Sequence, residues 1–357
     1  MPVRIGEIPD LGQLGFGRGP DQVKSLRGLG GVVVLLLLLP VSASASPAPL
    51  GLTKCSAAGQ GLRQCSGLVP TWDGVPLDTT VTLPRGGGRK LPLVVLIHGF
   101  GNSKYEYLQK GDSAYTGNAY DFAEHGYAVL TYTARGLWGS CGTPEARLAN
   151  VLACAAGYIR LADIRYEVRD TQELVGRLVD EGVARADAIG VTGDSYGGGQ
   201  SLDLAALRNR VMLTNGRLAP WRSPDGAKLT ITASAPVIPW SDLASAATPN
   251  GRTSIDDVMP RSSPGDPIGV AKASFVTAIA AATQIATGPG QPPNEPFVIG
   301  RPSGFVALPG RDPQTDILGW VARIQEGEPY DNASARGVYD SIQHYHSAYQ
   351  VDSSRPP

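Results

Sequence analysis

Five consecutive residues, Gly193-Asp194-Ser195-Tyr196-Gly197, have the types and spacing for nucleophilic catalysis. In a G-x-S-x-G segment the serine sits on a sharp strand-to-helix turn, and a side chain at either glycine would strike neighbouring backbone. The turn presents the hydroxyl at the end of a sheet and at a helix N-terminus. So short a pattern needs structural context. That context is present: the apolar run Ala188-Ile-Gly-Val-Thr192 precedes the motif, and residues 197–213 are compatible with a helix. Ser195 is therefore the expected nucleophile, with Gly193 and Gly197 as the glycines of the turn.

Acyl transfer also needs two backbone N–H groups aimed at the developing oxyanion. One belongs to the residue after the nucleophile, here Tyr196. The other comes from the loop after an earlier strand, which points to Phe100 in His98-Gly-Phe-Gly101. On that side of the serine His98 is expected to brace the strand end by hydrogen bonding, not to act as base. A Gly-rich loop, Ala134-Arg-Gly-Leu-Trp-Gly-Ser-Cys-Gly142, follows the next strand, at the sheet edge where α/β enzymes place their ligands. Arg135 there reads as an ion-pair brace in preference to a substrate contact.

A serine nucleophile requires a base and an orienting carboxylate. In this arrangement the chain order is Ser, then Asp or Glu, then His. After Ser195 the histidines are His344 and His346, in a stretch over 333–349 that reads as helix with no apolar strand before it. The chain is thus expected to stop short of the last strands, with the acid and the histidine beyond Pro357. The competing account gives the base role to His344 or His346, with Asp331 or Asp340 as the acid.

Together, the strand-H-G-F-G loop, R-G-x-x-G-S-x-G over Arg135–Gly142 and G-D-S-Y-G-G at 193–198 resemble the X-Pro dipeptidyl-peptidases and cocaine-esterase-like acyl hydrolases, over roughly residues 67–240. The resemblance implies an α/β-hydrolase fold, a serine nucleophile, and small acyl esters or peptides as substrates. Some members place a tyrosine hydroxyl in the oxyanion hole after the first strand. Phe100 stands there in this chain, so its backbone N–H must serve.

The elements that would position these groups follow from periodicity. A hairpin is expected around Asp73-Gly74, with strands at 68–72 and 75–83. Leu91–Ile97 and Tyr127–Thr133 are continuous apolar runs, as strands covered on both faces should be. Tyr115–Gly126 can hold a helix, and Ile164, Val168, Val175 and Val179 mark the best helix, over 159–182. A sixth strand is expected at 229–235. Strand–helix–strand order gives a mostly parallel sheet with helices on both faces. Residues 240–330 then read as a cap-like insertion with helical patches at 270–286 and 315–327, and Trp240, Phe275 and Trp320 as acyl-pocket lining or plain core.

Ahead of the hydrolase domain at 67–357, residues 46–66 read as an exposed segment. Residues 1–45 have the order of a secretory signal: basic Arg18, Lys24 and Arg27, an 11-residue apolar run Leu29–Leu39, then small residues to Ala45. The run is short of the roughly 20 residues of a bilayer span, so no stable span is expected after cleavage. The n-region is long for a signal. An even four cysteines suit disulfides in an exported chain, and proximity favours Cys55–Cys65 and Cys141–Cys154. No cysteine pair or histidine cluster has metal spacing, and no metal or cofactor is expected. With 31 Lys+Arg against 32 Asp+Glu, the charge balance gives no sign of a nucleic-acid partner. The expected function is a secreted serine hydrolase acting on ester or peptide bonds. The alternative is a non-catalytic binding protein of the same fold lacking the triad acid and histidine. A dehalogenase would need a carboxylate at 195 and is excluded.

Overall fold

Strand β4 (Leu91–Ile97) shows how the chain builds its core. Leu93, Val95 and Ile97 point to one apolar cluster, while Val94 and Leu96 point to another. A strand buried on both faces must be flanked by other strands and covered twice. The computed structural model of the protein describes residues 48–109, 117–247, 303–326 and 332–353, with 277 and 281. The expected signal peptide, Phe275 and nearly all of the patch 270–286 lie outside the described residues.

Around β4 lie β1 (Lys54–Ala58), β2 (Leu62–Pro70), β3 (Pro76–Leu83), β5 (Ala128–Tyr132), β6 (Ala184–Asp194) and β9 (Ile231–Val237), in the order β1-β2-β3-β5-β4-β6-β9. The pairs β1–β2, β2–β3 and β3–β5 are antiparallel, and β5–β4, β4–β6 and β6–β9 are parallel. Strands β7 (Arg210–Met212) and β8 (Leu218–Pro220) form a separate hairpin. Helix α1 (Ala119–Glu124) covers one face of the sheet. Helices α3 (Glu167–Asp180) and α4 (Tyr196–Leu207) cover the other. The short α2 (Pro144–Ala149) follows the Gly-rich loop, and α5 (Leu243–Ala247), α6 (Ile317–Glu326), α7 (Asn332–Tyr345) and α8 (Ala348–Ser353) follow β9. This is the α/β-hydrolase fold expected from the sequence. Among the described residues the parallel side of the sheet ends on β9.

Three local expectations need correction. Residues 46–66 are not simply an exposed segment. They hold β1 and the start of β2, with Leu50, Leu52, Leu62 and Cys65 buried. Cys55 and Cys65 face each other in the ladder and are joined, as are Cys141 and Cys154. Residues 240–330 therefore follow the seventh strand of this sheet, not the sixth. The helix expected over 159–182 begins only at Glu167. Leu161 and Ala162 take φ of 57° and 61°, and a right-handed helix cannot run through two left-handed residues. Lastly, the helix expected through 333–348 breaks at His346, between α7 and α8.

The buried guanidinium of Arg135 ties three of these pieces together. Its Nε and Nη2 donate to Asp170 on α3 at 2.7 and 2.6 Å, and its Nη1 and Nη2 donate to Asp73 in the β2–β3 turn at 2.8 and 3.0 Å. Thr71 Oγ1 donates to the same Asp170 at 2.8 Å. Burial opposes the charge on Arg135, but the two carboxylates outweigh it and hold the side chain ionised. Arg135 is thus a brace and faces no substrate. Removing one partner of a buried ion pair leaves the others uncompensated, at a cost of about 3–5 kcal/mol. Arg135→Ala should lower the unfolding free energy by about that amount in a urea titration. A loss comparable to that of an exposed arginine would contradict the brace.

Candidate active site

Ser195 joins β6 to α4 with φ 48° and ψ −107°, a strained conformation for a residue with a side chain. Its N–H donates to Val237 O at 3.0 Å, and its carbonyl accepts from Gly199 N at 2.9 Å. The glycines of the turn have the steric role expected of them. A Cβ on Gly197 would lie 1.8 Å from Ile97 O, and one on Gly193 would lie 2.3 Å from the same atom. The first turn of α4 is therefore pressed directly onto the end of β4. That contact brings the elbow beside the His98–Asn102 loop. Ser195 itself is partly exposed.

His98 is fully buried. Its Nε2 accepts from Ala134 N at 2.9 Å, so Nδ1 carries the proton and donates to Gly99 O at 2.7 Å. Burial lowers its pKa to about 4, so the ring is neutral. Both nitrogens are committed to backbone, which leaves no lone pair for a serine proton. His98 is a structural link between the ends of β4 and β5.

The same loop is gripped from three sides. Glu106 Oε2 accepts from Gly99 N at 3.0 Å and from Asn102 Nδ2 at 2.8 Å. Trp138, in the Gly-rich loop after β5, donates its indole N–H to Gly101 O at 2.9 Å. The Phe100 ring meets the Tyr196 ring edge-on, with centroids 5.3 Å apart. Lys104, in the turn that follows, is buried against Asp78 of β3 at 2.5 Å. With Gly99 N–H occupied, the next N–H is that of Phe100. Neither it nor the Tyr196 N–H makes a hydrogen bond among the described residues.

Behind the elbow, the Tyr196 hydroxyl faces the buried Glu167, and burial with that carboxylate's charge raises the tyrosine well above its ordinary value. Burial pushes Glu167 up to about 7. Tyr196, Phe100 and Trp240 belong to an apolar cluster with Leu137, Trp138, Ile159 and Ile317. Trp240 stacks over Gly199 and donates to His346 O at 3.2 Å. Trp320 packs edge-on to the His346 ring.

The two late histidines have surroundings of their own. His346 is fully buried, with Nδ1 donating to Leu161 O at 2.8 Å and Nε2 4.0 Å from Asp163 Oδ2. Burial keeps it neutral. His344 is exposed and lines a groove of about 260 Å³ with Met212, Gly216, Leu218 and Gln350, residues outside the elbow and the oxyanion loop. Neither ring is hydrogen-bonded to Ser195. Asp340 is exposed on α7, and Asp331 lies outside the described residues. Among the described residues no group of His, Cys, Asp or Glu side chains could hold a metal ion.

Sequence reasoning missed Glu106 altogether. It is a single acidic residue in a short turn, and no sequence pattern signals its grip on Gly99 N and Asn102 Nδ2.

Comparison with known proteins agrees with the motif reading. Residues 73–224 match the family model of the X-Pro dipeptidyl-peptidases (S15 family). No curated protein matches the chain. Among solved structures, an acetyl xylan esterase from Paenibacillus sp. R4 is 16% identical with a TM-score of 0.38, over 84% of this chain and 68% of that one. A CocE/NonD family hydrolase from Staphylococcus aureus is 17% identical with a TM-score of 0.35, over 52% and 29%. Dipeptidyl peptidase 4 of Porphyromonas gingivalis is 19% identical with a TM-score of 0.28, over 39% and 18%. The last two are thus spanned over less than a third of their lengths, and scores this low transfer nothing from any of the three. Through residues 73–224 the chain resembles the X-Pro dipeptidyl-peptidase family, and its sheet has the α/β-hydrolase fold.

Proposed function

We propose that the protein is an exported hydrolase that cleaves acyl ester or peptide bonds through an acyl-enzyme on Ser195. The observation that carries this reading is the elbow itself. A serine held in a strained turn, with two unpaired backbone N–H groups on neighbouring segments, suits attack on a carbonyl and capture of its oxyanion. Ser195 Oγ would attack the carbonyl carbon as its proton passes to a base. Phe100 and Tyr196 N–H would hold the oxyanion until the leaving group departs with that proton. Water would then release the acyl group by the same route.

The reading requires a proton acceptor other than His98, whose nitrogens are committed, and other than the walled-in His346. An acid and a histidine placed to relay the Ser195 proton would complete it. The second reading, a binding protein on this fold without a working triad, draws on the lack of any histidine hydrogen-bonded to Ser195 among the described residues. Export is supported by the signal-like order of residues 1–45, by two disulfides, and by a compact unit that begins at Ser46. No described helix is long and apolar enough to cross a membrane.

A fluorophosphonate probe labels only an activated serine. The natural full-length protein should be labelled, the adduct should map to Ser195 by mass spectrometry, and Ser195→Ala should abolish it. A protein that stays unlabelled would favour the binding-protein reading. His344→Ala should leave the labelling rate unchanged, and loss of labelling in that variant would restore His344 as the base.

A further inference from the structure

Residues 303–317 follow β9 in the chain, yet they lie along the Gly-rich loop that precedes it, like an added strand. Trp138 N donates to Ser303 O at 2.6 Å, Phe305 N donates to Gly136 O at 2.8 Å, and Ile159 N donates to Phe305 O at 2.8 Å. Side chains reinforce this strap. The Arg147 guanidinium stacks 3.5 Å from the Phe305 ring centroid, and Arg311 Nη2 donates to Ala155 O at 2.9 Å. Val306 and Ile317 enter the apolar cluster that holds Tyr196 and Phe100.

An ion pair pins the strap. The Arg160 guanidinium packs against the Tyr158 and Tyr166 rings, 4.1 and 3.6 Å from their centroids, and Arg160 N donates to Glu167 Oε1 at 2.8 Å. Arg160 Nη1 donates to Asp312 Oδ2 and Nη2 to the Tyr158 hydroxyl, which itself donates to Asp312 Oδ2 at 3.2 Å. Asp312 Oδ1 accepts from Gln314 N at 3.2 Å, closing a turn at the pin. A guanidinium suits this socket, since it stacks on aromatic rings while its fork meets a carboxylate. The Arg160 and Asp312 side chains are 7% and 13% exposed, so water and salt screen the pair weakly. The socket is built from residues 158–167, and the strap brings Asp312 to it.

We propose that Asp312 is a positioning residue for the reaction at Ser195. By pinning residues 303–317 to the Arg160 socket it holds Trp138 in place, and through the Trp138 indole the oxyanion loop at Gly101. The path is continuous. The strap holds Trp138 N, Trp138 Nε1 donates to Gly101 O at 2.9 Å, and Gly101 follows Phe100, the proposed oxyanion donor. Trp138 has φ of 41°, a backbone that a residue with a side chain keeps only under outside restraint. The strap supplies that restraint. A second route runs through the apolar cluster, where Val306 and Ile317 pack with the Phe100 and Tyr196 rings. The inference rests on the serine-hydrolase reading for its functional meaning, while the pin itself is a property of the fold.

The test uses the full-length protein with Asp312→Ala, Asp312→Asn and Trp138→Phe, and with Asp312→Ala and Trp138→Phe combined. Hydrogen exchange at the amides of Trp138, Ile159 and Phe305 is followed beside the rate of fluorophosphonate labelling. Asp312→Ala should speed exchange at those amides and leave β4 protected. It should slow labelling by about tenfold or more, toward the roughly hundredfold that a misplacement of about 1 Å can cost. Asp312→Asn keeps an acceptor for Arg160 and Tyr158 without the charge, and should fall between. If Asp312 acts through Trp138, the double variant should label no more slowly than the slower single variant, whereas independent sites multiply their losses. Multiplied losses, unchanged labelling in Asp312→Ala, or exchange that rises equally in β4 would overturn the proposal. If wild type is never labelled while the three amides still respond to Asp312→Ala, the hydrolase reading fails and the pin stands.

Discussion

The whole site depends on one close approach: the first turn of α4 rests on the carbonyl of Ile97, with no room for a β-carbon between them. Backbone this close cannot shift one partner without the other. The end of β4 and the elbow are therefore one rigid body, and so are the loops that leave them. That is why Ser195 can keep a strained backbone while its neighbours stay regular: the cost of a few kcal/mol for such a conformation is met by packing on all sides.

Polar contacts extend that rigidity outward. His98 ties the end of β4 to that of β5, Trp138 reaches back from the Gly-rich loop to Gly101, and Arg135 anchors the start of the same loop to α3 and to the β2–β3 turn. Each tie joins segments distant in sequence. A buried charge such as Arg135 tolerates little displacement, since a partner lost is a desolvation cost unmet. The Arg135–Gly142 motif of the family resemblance thus has its role in bracing the loops beside Ser195.

The parts of this arrangement legible in the sequence were those with a local signature. β4 and β5 appeared because strands buried on both faces read as unbroken apolar runs, and the elbow because its glycines are a steric necessity. β1 was hidden, since Lys54-Cys-Ser-Ala-Ala58 is exposed over most of its length and is defined by pairing with β2 and by the Cys55–Cys65 bridge. The start of α3 was misplaced because Leu161 and Ala162 are ordinary residues in an uncommon conformation. His346 read as a surface position on a continuous helix, whereas it is buried at a break between two. Glu106 carried no pattern at all. In each case the deciding contact is made across the fold.

The buried ionisable groups around the elbow share a tendency with chemical meaning. Burial lowers His98 to about 4 and raises Glu167 to about 7 and Glu106 to about 8, each toward its neutral form. An acyl transfer at Ser195 would build negative charge on the substrate oxygen, and every ionised carboxylate nearby would oppose it in a weakly screening interior. Desolvation alone pushes the site in the favourable direction, by making it expensive for Glu106 to ionise. Asp194 is surrounded differently, with the Tyr107 hydroxyl donating to its Oδ1 at 3.1 Å. The same burial that packs the oxyanion loop against the elbow thereby also sets the field in which an oxyanion would form.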